Sequence, residues 1–117
     1  MSNEISINET LRYSKSGVTA SHSSSFQADQ TGDKYAAGVQ TVGTAEESLD
    51  KNDVGTIGFL AVRNNDDTNF VQLGATTTVY TVKLFPGQGA LIPWNGSTTF
   101  IKANVAPCDV EYLMVEL

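Results

Sequence analysis

Gly55-Thr56-Ile57-Gly58-Phe59-Leu60-Ala61-Val62-Arg63 is the stretch whose reading decides the fold. Successive residues of a strand point to opposite faces of its sheet. Here both sets are apolar, the pattern of a central strand covered on both sides. A polar run, Asn64-Asn65-Asp66-Asp67-Thr68-Asn69, closes it. Asn and Asp side chains bond their own backbone and tolerate left-handed conformations, so this run reads as a turn.

Working outward toward the C-terminus, strands and turns alternate. Phe70 to Leu73 is a short strand stopped by Gly74. Thr76 to Leu84 alternates, with Tyr80, Val82 and Leu84 against Val79, Thr81 and Lys83. Pro86-Gly87-Gln88-Gly89 is a turn. Ala90 to Trp94 is a strand containing Pro93, which lacks an N–H and is expected at an edge or a bulge. Asn95-Gly96 is a hairpin-type turn. Thr98 to Val105 is a strand with Phe100 or Ile101 facing inward, broken by Pro107; Asp109 to Leu117 is the last strand.

Toward the N-terminus the pattern is more polar. Ile5 and Ile7 alternate with Ser6, and Leu11 and Tyr13 with Arg12, as in short strands with one buried face. Gly17 marks a turn. Ser21-His22-Ser23-Ser24-Ser25 before Phe26 reads as a loop or an edge strand of small side chains. Asp29 to Asp33 is a turn by composition, and Tyr35 to Thr44 a strand. Thr44 followed by Glu47 fits a capping box, so one helical turn is expected there.

Strands separated by turns at roughly 8 to 12 residue intervals, with no helical apolar stripe, define an all-β fold. The expectation is a single antiparallel β-sandwich or jelly-roll-like domain over residues 17–117. Residues 1–16 would form a polar N-terminal arm or the first strands.

The chain has 117 residues, enough to bury roughly two-thirds of its unfolded surface without staples. Its formal net charge is −6, and its seven basic residues are scattered. Nucleic-acid affinity rests on clustered Lys and Arg at phosphates, so no nucleic-acid partner is expected. Met1 to Thr10 lacks the apolar run of a signal peptide, and no stretch reaches the roughly 20 apolar residues of a membrane helix. No membrane partner is expected, and synthesis in the cytoplasm is. The single cysteine, Cys108, excludes an internal disulfide.

Sites of chemistry fail on count or geometry. Asp66-Asp67 and Glu46-Glu47 are neighbours whose carboxylates diverge on a strand, whereas acid–base catalysis needs two groups aimed at one substrate. Asp50 to Gly55 begins like a calcium loop, but Ala61 stands where the bidentate glutamate is required. Asn64 to Asn69 is oxygen-rich and reads as a solvated turn. His22 and Cys108, one of each type, fall short of a zinc ligand set, and Cys108 reads as a small buried hydrophobe. No catalytic, cofactor-binding or metal residue is assigned. Trp94 with Asn95, and Tyr13, Tyr35, Tyr80 and Tyr112, are the candidates for a glycan-stacking platform, against the plainer reading of core aromatics.

The last strand carries the argument for assembly. Val110, Tyr112 and Met114 share one face and Leu113, Val115 and Leu117 the other. One sandwich covers one face of a sheet, so Val110, Tyr112 and Met114 are candidates for a subunit interface. The alternative is a strand wholly internal to one subunit.

Val62-Arg63-Asn64, Asp67-Thr68-Asn69-Phe70-Val71 with Gly74, Leu84-Phe85-Pro86-Gly87, Lys102-Ala103-Asn104 with Ala106-Pro107, and Glu111-Tyr112-Leu113 together resemble small β-sandwich virion proteins of tailed bacteriophages. Thr31 to Tyr35 and Gly38 to Gly43 extend the likeness into the first half. The resemblance implies a capsid decoration, or cement, protein: a homo-oligomer, commonly a trimer, seated on the major capsid protein of the head. The virion would be its location, after assembly in the host cytoplasm. It brings no catalytic residue. Two alternatives stand beside it: a head–tail, tail or fibre-associated adaptor, and a glycan-binding host-attachment module using Trp94 and the nearby tyrosines.

Overall fold

A computed structural model describes residues 3–117; Met1 and Ser2, the start of the expected arm, lie outside the described residues. Among the described residues all regular secondary structure is β, in ten strands joined antiparallel throughout. The chain divides between Thr31 and Gly32 into two units.

The first unit is a hairpin of β1 (Ile5–Lys15) and β2 (Val18–Ala28). Ser16 and Gly17 form its two-residue turn with φ of 52° and 79°. Two positive φ angles in a row give the turn twist that matches a hairpin, and glycine adopts one of them without steric cost. The two short strands expected around Ile5 and Leu11 are thus one strand. The serine cluster is its partner rather than a loop, and the division expected after Ser16 falls on the hairpin turn, not on a boundary.

The second unit holds two four-stranded sheets. One has the order β3-β10-β5-β8, with β3 at Tyr35–Val42, β10 at Cys108–Glu116, β5 at Ile57–Asn64 and β8 at Gly89–Gly96. The other has the order β4-β9-β6-β7, with β4 at Glu47–Ser48, β9 at Phe100–Ala103, β6 at Val71–Gly74 and β7 at Val82–Leu84. The core draws Leu60, Val62, Val110, Tyr112 and Met114 from the first sheet and Val71, Leu73, Leu84, Ile101 and Ala103 from the second. Alternate residues of both sheets therefore meet in one apolar layer, the sandwich-like arrangement expected from the strand spacing. Each such side chain contributes about 1.5–3 kcal/mol relative to exposure.

Several local readings change. Thr44 to Leu49 makes no helical turn. The Glu47 carboxylate does reach back to the Gly43 N–H at 3.0 Å, but Glu47 and Ser48 pair with Ile101 and Phe100 instead. Sheet pairing outweighs the local cap. The strand expected from Thr76 shrinks to β7, because Thr78 takes a φ of 61° in a tight loop. The Asn95-Gly96 turn is instead the end of β8, with Gly96 opposite Ile57. Pro93 sits on the edge strand, as its missing N–H requires, and Ile101, not Phe100, is the fully buried neighbour of that pair.

Candidate interaction surface

The strand β10 settles which residues face inward. Its burial alternates along Cys108–Glu116, with Val110 and Met114 wholly buried and Tyr112 nearly so. Tyr112 directs its hydroxyl to the Asp50 carbonyl at 2.7 Å. Val110, Tyr112 and Met114 therefore belong to the subunit's own core, the alternative to the interface expected at these three residues. The reason is the position of β10 between β3 and β5, where the second sheet covers one side only.

The other side is open. Register places Ala37 of β3 beside Leu113 of β10, which lies beside Ala61 of β5. Val39, Glu111 and Arg63 form the next row. Leu113 is 43% exposed and Val39 62%. The small side chains between them leave a shallow trough of about 570 Å³. Glu111 and Asp109 lie at one end of this face, and the acidic turn with Asp66 and Asp67 adjoins Glu111 and Arg63. The outer face of the second sheet is built differently: Lys102, Gln72 and Lys83 stand side by side across it. That sheet shows water a polar surface, as a one-sided antiparallel sheet should. The first sheet does not.

The hairpin is amphipathic by the same pairing logic. Ile5, Ile7, Leu11 and Tyr13 on β1 share a face with Ala28, Phe26, Ala20 and Val18 on β2, interrupted by Glu9, Lys15, His22 and Ser24. The opposite face is entirely polar: Ser6, Asn8, Thr10, Arg12 and Ser14 pair with Gln27, Ser25, Ser23, Ser21 and Thr19. Ser25 donates to Asn8 Oδ1 at 2.8 Å across it. On the apolar face, Ile5 and Ile7 are buried, whereas Leu11, Tyr13 and Val18 in the distal half are 71%, 53% and 59% exposed.

The other candidates are occupied by structural work. The Trp94 indole donates from Nε1 to the Thr98 carbonyl at 3.0 Å, lies against Gly96 and packs on the core. Asn95 beside it takes a left-handed φ of 54°. Of the tyrosines, Tyr112 lies in the core, Tyr80 donates to Glu46, Tyr35 is exposed on β3 and Tyr13 is exposed on the hairpin. His22 lies opposite Leu11 on the hairpin's apolar face.

The acidic turns satisfy themselves. Asp66 accepts from the N–H groups of Asn69 and Thr68 at 2.7 and 3.0 Å, and these bonds hold its carboxyl below the usual range. Asp50 accepts from the Asn52 N–H at 3.0 Å. Glu46 accepts from the Thr77 hydroxyl, the Tyr80 hydroxyl and the Thr78 N–H, which lower its pKa in that order of importance. Cys108 is wholly buried, and burial pushes its thiol up. Among the described residues no three His, Cys, Asp or Glu side chains gather as a metal-ligating group.

What the geometry defines is an all-β protein with two apolar surfaces left bare, one on a sheet and one on a hairpin. Compared with protein-family models, with curated proteins and with solved structures, the chain matches none.

Proposed function

We propose that this chain is a non-enzymatic structural protein that works by assembly, and that its assembly is the head of a tailed bacteriophage, where it acts as a capsid decoration protein. The observation that supports assembly is the contrast between the two outer sheet faces. Lys102, Gln72 and Lys83 suit water, whereas Val39, Ala37, Leu113 and Ala61 make an apolar field of the kind that marks an interaction site. The support for a phage head is the likeness of the turn and strand motifs from Val54 to Leu117 to small virion β-sandwich proteins.

The proposed mechanism is non-covalent. Homo-oligomeric subunits, trimers on this reading, bridge neighbouring copies of the major capsid protein, and repetition over the lattice multiplies weak contacts into firm attachment. The test is the copy number and position of the chain in intact particles, by quantitative gel and electron-microscopic map. Hundreds of copies spread over the head are expected. Six or twelve copies at one vertex or on the tail would replace decoration by the adaptor reading, and absence from particles would overturn both.

A further inference from the structure

We propose that the outer edge of β2 is a self-pairing site: it joins antiparallel to the same edge of a second copy, about a two-fold axis at Ser23, and makes a four-stranded sheet in the order β1-β2-β2-β1. This goes beyond the decoration reading and does not depend on the identity of the particle.

The hairpin's own geometry shows which backbone groups are spare. In a hairpin closed by a two-residue turn, the flanking residues exchange both backbone hydrogen bonds, and such pairs alternate with pairs that exchange none. Lys15 and Val18 flank the turn. Thr19, Ser21, Ser23, Ser25 and Gln27 therefore aim their N–H and C=O groups away from β1. Side chains approach most closely across the pairs without backbone bonds. The Thr10 and Ser23 hydroxyls, 3.4 Å apart, and the Ser25 hydroxyl, donating to Asn8 Oδ1 at 2.8 Å, fit this register. Among the described residues no third strand joins the sheet, and no backbone hydrogen bond from elsewhere reaches these five residues. Such a row of unpaired groups is a template for another strand.

Proteins that keep an edge single guard it with charge, proline or a bulge. β2 has none of these. Val18–Ala28 contains no Asp, Glu, Lys, Arg or Pro, and its register with β1 runs unbroken. β1 carries Glu9, Arg12 and Lys15. The two edges of the ribbon thus differ, and the unguarded one belongs to β2.

The partner is a second copy because β2 is complementary to itself. Ser23 is the middle of its 11 residues. Antiparallel pairing about Ser23 uses the whole strand and all five outward residues, forming about ten hydrogen bonds. On one face Ser21 then meets Ser25 and Thr19 meets Gln27. On the other, Ala20 meets Phe26 and Val18 meets Ala28. Polar residues face polar ones, small apolar residues face larger ones, and no like charges meet. The same operation on β1, about Thr10, would set Lys15 against Ile5 and Glu9 against Leu11. A two-stranded ribbon is marginal in water, whereas more strands make an independently stable sheet. The contact is isologous, so it joins subunits, or rings of subunits, in pairs.

Proline substitution in the full chain separates the two edges. Thr10 and Ser23 stand opposite each other with N–H groups aimed at opposite edges, so proline at either removes no β1–β2 hydrogen bond. Far-UV circular dichroism and a thermal midpoint check that each variant keeps its fold. By light scattering after gel filtration, the unaltered chain is expected to hold an even number of copies. Ser23→Pro should halve that mass, and Thr10→Pro should leave it unchanged. A monomeric unaltered chain overturns the proposal, as does a mass that survives Ser23→Pro. Should proline unfold the hairpin, disulfide cross-linking decides; Cys108 is buried and does not compete. Pairing brings the two Ser23 Cα atoms to about 5.5 Å, within disulfide reach. It holds the two Thr10 Cα atoms about 14 Å apart, three strand spacings. Under mild oxidation Ser23→Cys is expected to give a covalent dimer and Thr10→Cys none. Cross-linking at Thr10 instead, or only in a mixture of the two variants, would place the contact at the β1 edge or between unlike edges and overturn the proposal. These measurements use the purified chain, so they can fail while the head copy number stands, and the reverse.

Discussion

The side-chain amide of Asn64, at the end of β5 in one sheet, donates to the carbonyl of Leu84 on β7 in the other at 3.0 Å. The same nitrogen donates to the Asn69 carbonyl at 2.9 Å, and Asn64 Oδ1 accepts from the Asp66 N–H at 3.0 Å. One wholly buried polar side chain thus ties both sheets and the intervening turn together.

Asn64→Ala removes all three of these hydrogen bonds, including the one to the buried Leu84 carbonyl. One buried carbonyl left unsatisfied costs about 1–3 kcal/mol and each of the other two bonds about 0.5–1.5 kcal/mol, so a loss of about 2–6 kcal/mol is expected. Urea unfolding checks it: the midpoint should fall with the slope unchanged. Asn64→Asp retains an acceptor but no donor and should not recover the loss near neutral pH.

The two faces of β10 predict opposite sensitivities. Met114→Ala opens a cavity in the core and should cost about 2–5 kcal/mol. Leu113→Ala, one residue away on the open face, should change the stability of the isolated subunit by no more than about 0.5 kcal/mol. Thermal and urea unfolding of the two variants in dilute solution separate them. Similar losses for both would mean that the outer face is packed within the subunit.

Glycine positions divide in the same way. A Cβ on Gly74 would sit 2.0 Å from the Val79 carbonyl oxygen, where the loop before β7 folds back. Gly74→Ala should therefore be destabilising by several-fold more than Gly38→Ala, whose Cβ meets nothing within 4 Å. Expression level and unfolding midpoint of both variants give the comparison.

Acid and base limbs of stability follow from hydrogen bonds at carboxylates and phenols. Folding lowers the pKa of Glu46 from an ordinary 4.5, and that of Asp66 from 3.8. A depressed pKa contributes stability that is present above the unfolded value and is lost as pH falls through the folded one. Glu46→Gln should then flatten the decline of stability on acidification below about pH 4.5. Tyr80, donating to Glu46, and Tyr112, through burial, are both raised above 10.0. Their contribution is complete below pH 10 and lost as pH rises through the folded values. Tyr112→Phe should remove part of that alkaline limb, read by unfolding midpoints and by phenolate absorbance.

Much of the strand framework was legible in local chemistry. β5 announces itself by a continuous apolar run and β10 by alternation that becomes apolar on both faces from Tyr112 to Val115, and Pro93 declares an edge because it cannot donate to a ladder. The self-bonding turn from Asn64 to Asn69 was readable for the same reason, since Asx turns need only neighbouring atoms. The hairpin was less legible. Ser21, Ser23 and Ser25 form its polar face, but His22 and Ser24 interrupt the apolar one, so the period of two is visible only once β1 supplies the partner register. The capping-box reading of Thr44 to Glu47 failed because a local cap competes with a pairing to Ile101 that lies far along the chain.

The sequence by itself determined that this chain is all-β and where most of its turns fall, because alternation, proline and Asn/Asp/Gly clusters act over a few residues. Tertiary structure decided that one face of β10 is core and the other bare. Leu113, Val115 and Leu117 make the outer face apolar beyond Asp109 and Glu111, and the placement of the second sheet over Val110, Tyr112 and Met114 distinguishes the two. It also decided that Leu113, Val39 and the hairpin tip remain bare. Exposure is a property of what packs on a residue, and that depends on contacts between segments far apart in the chain, which no local pattern encodes.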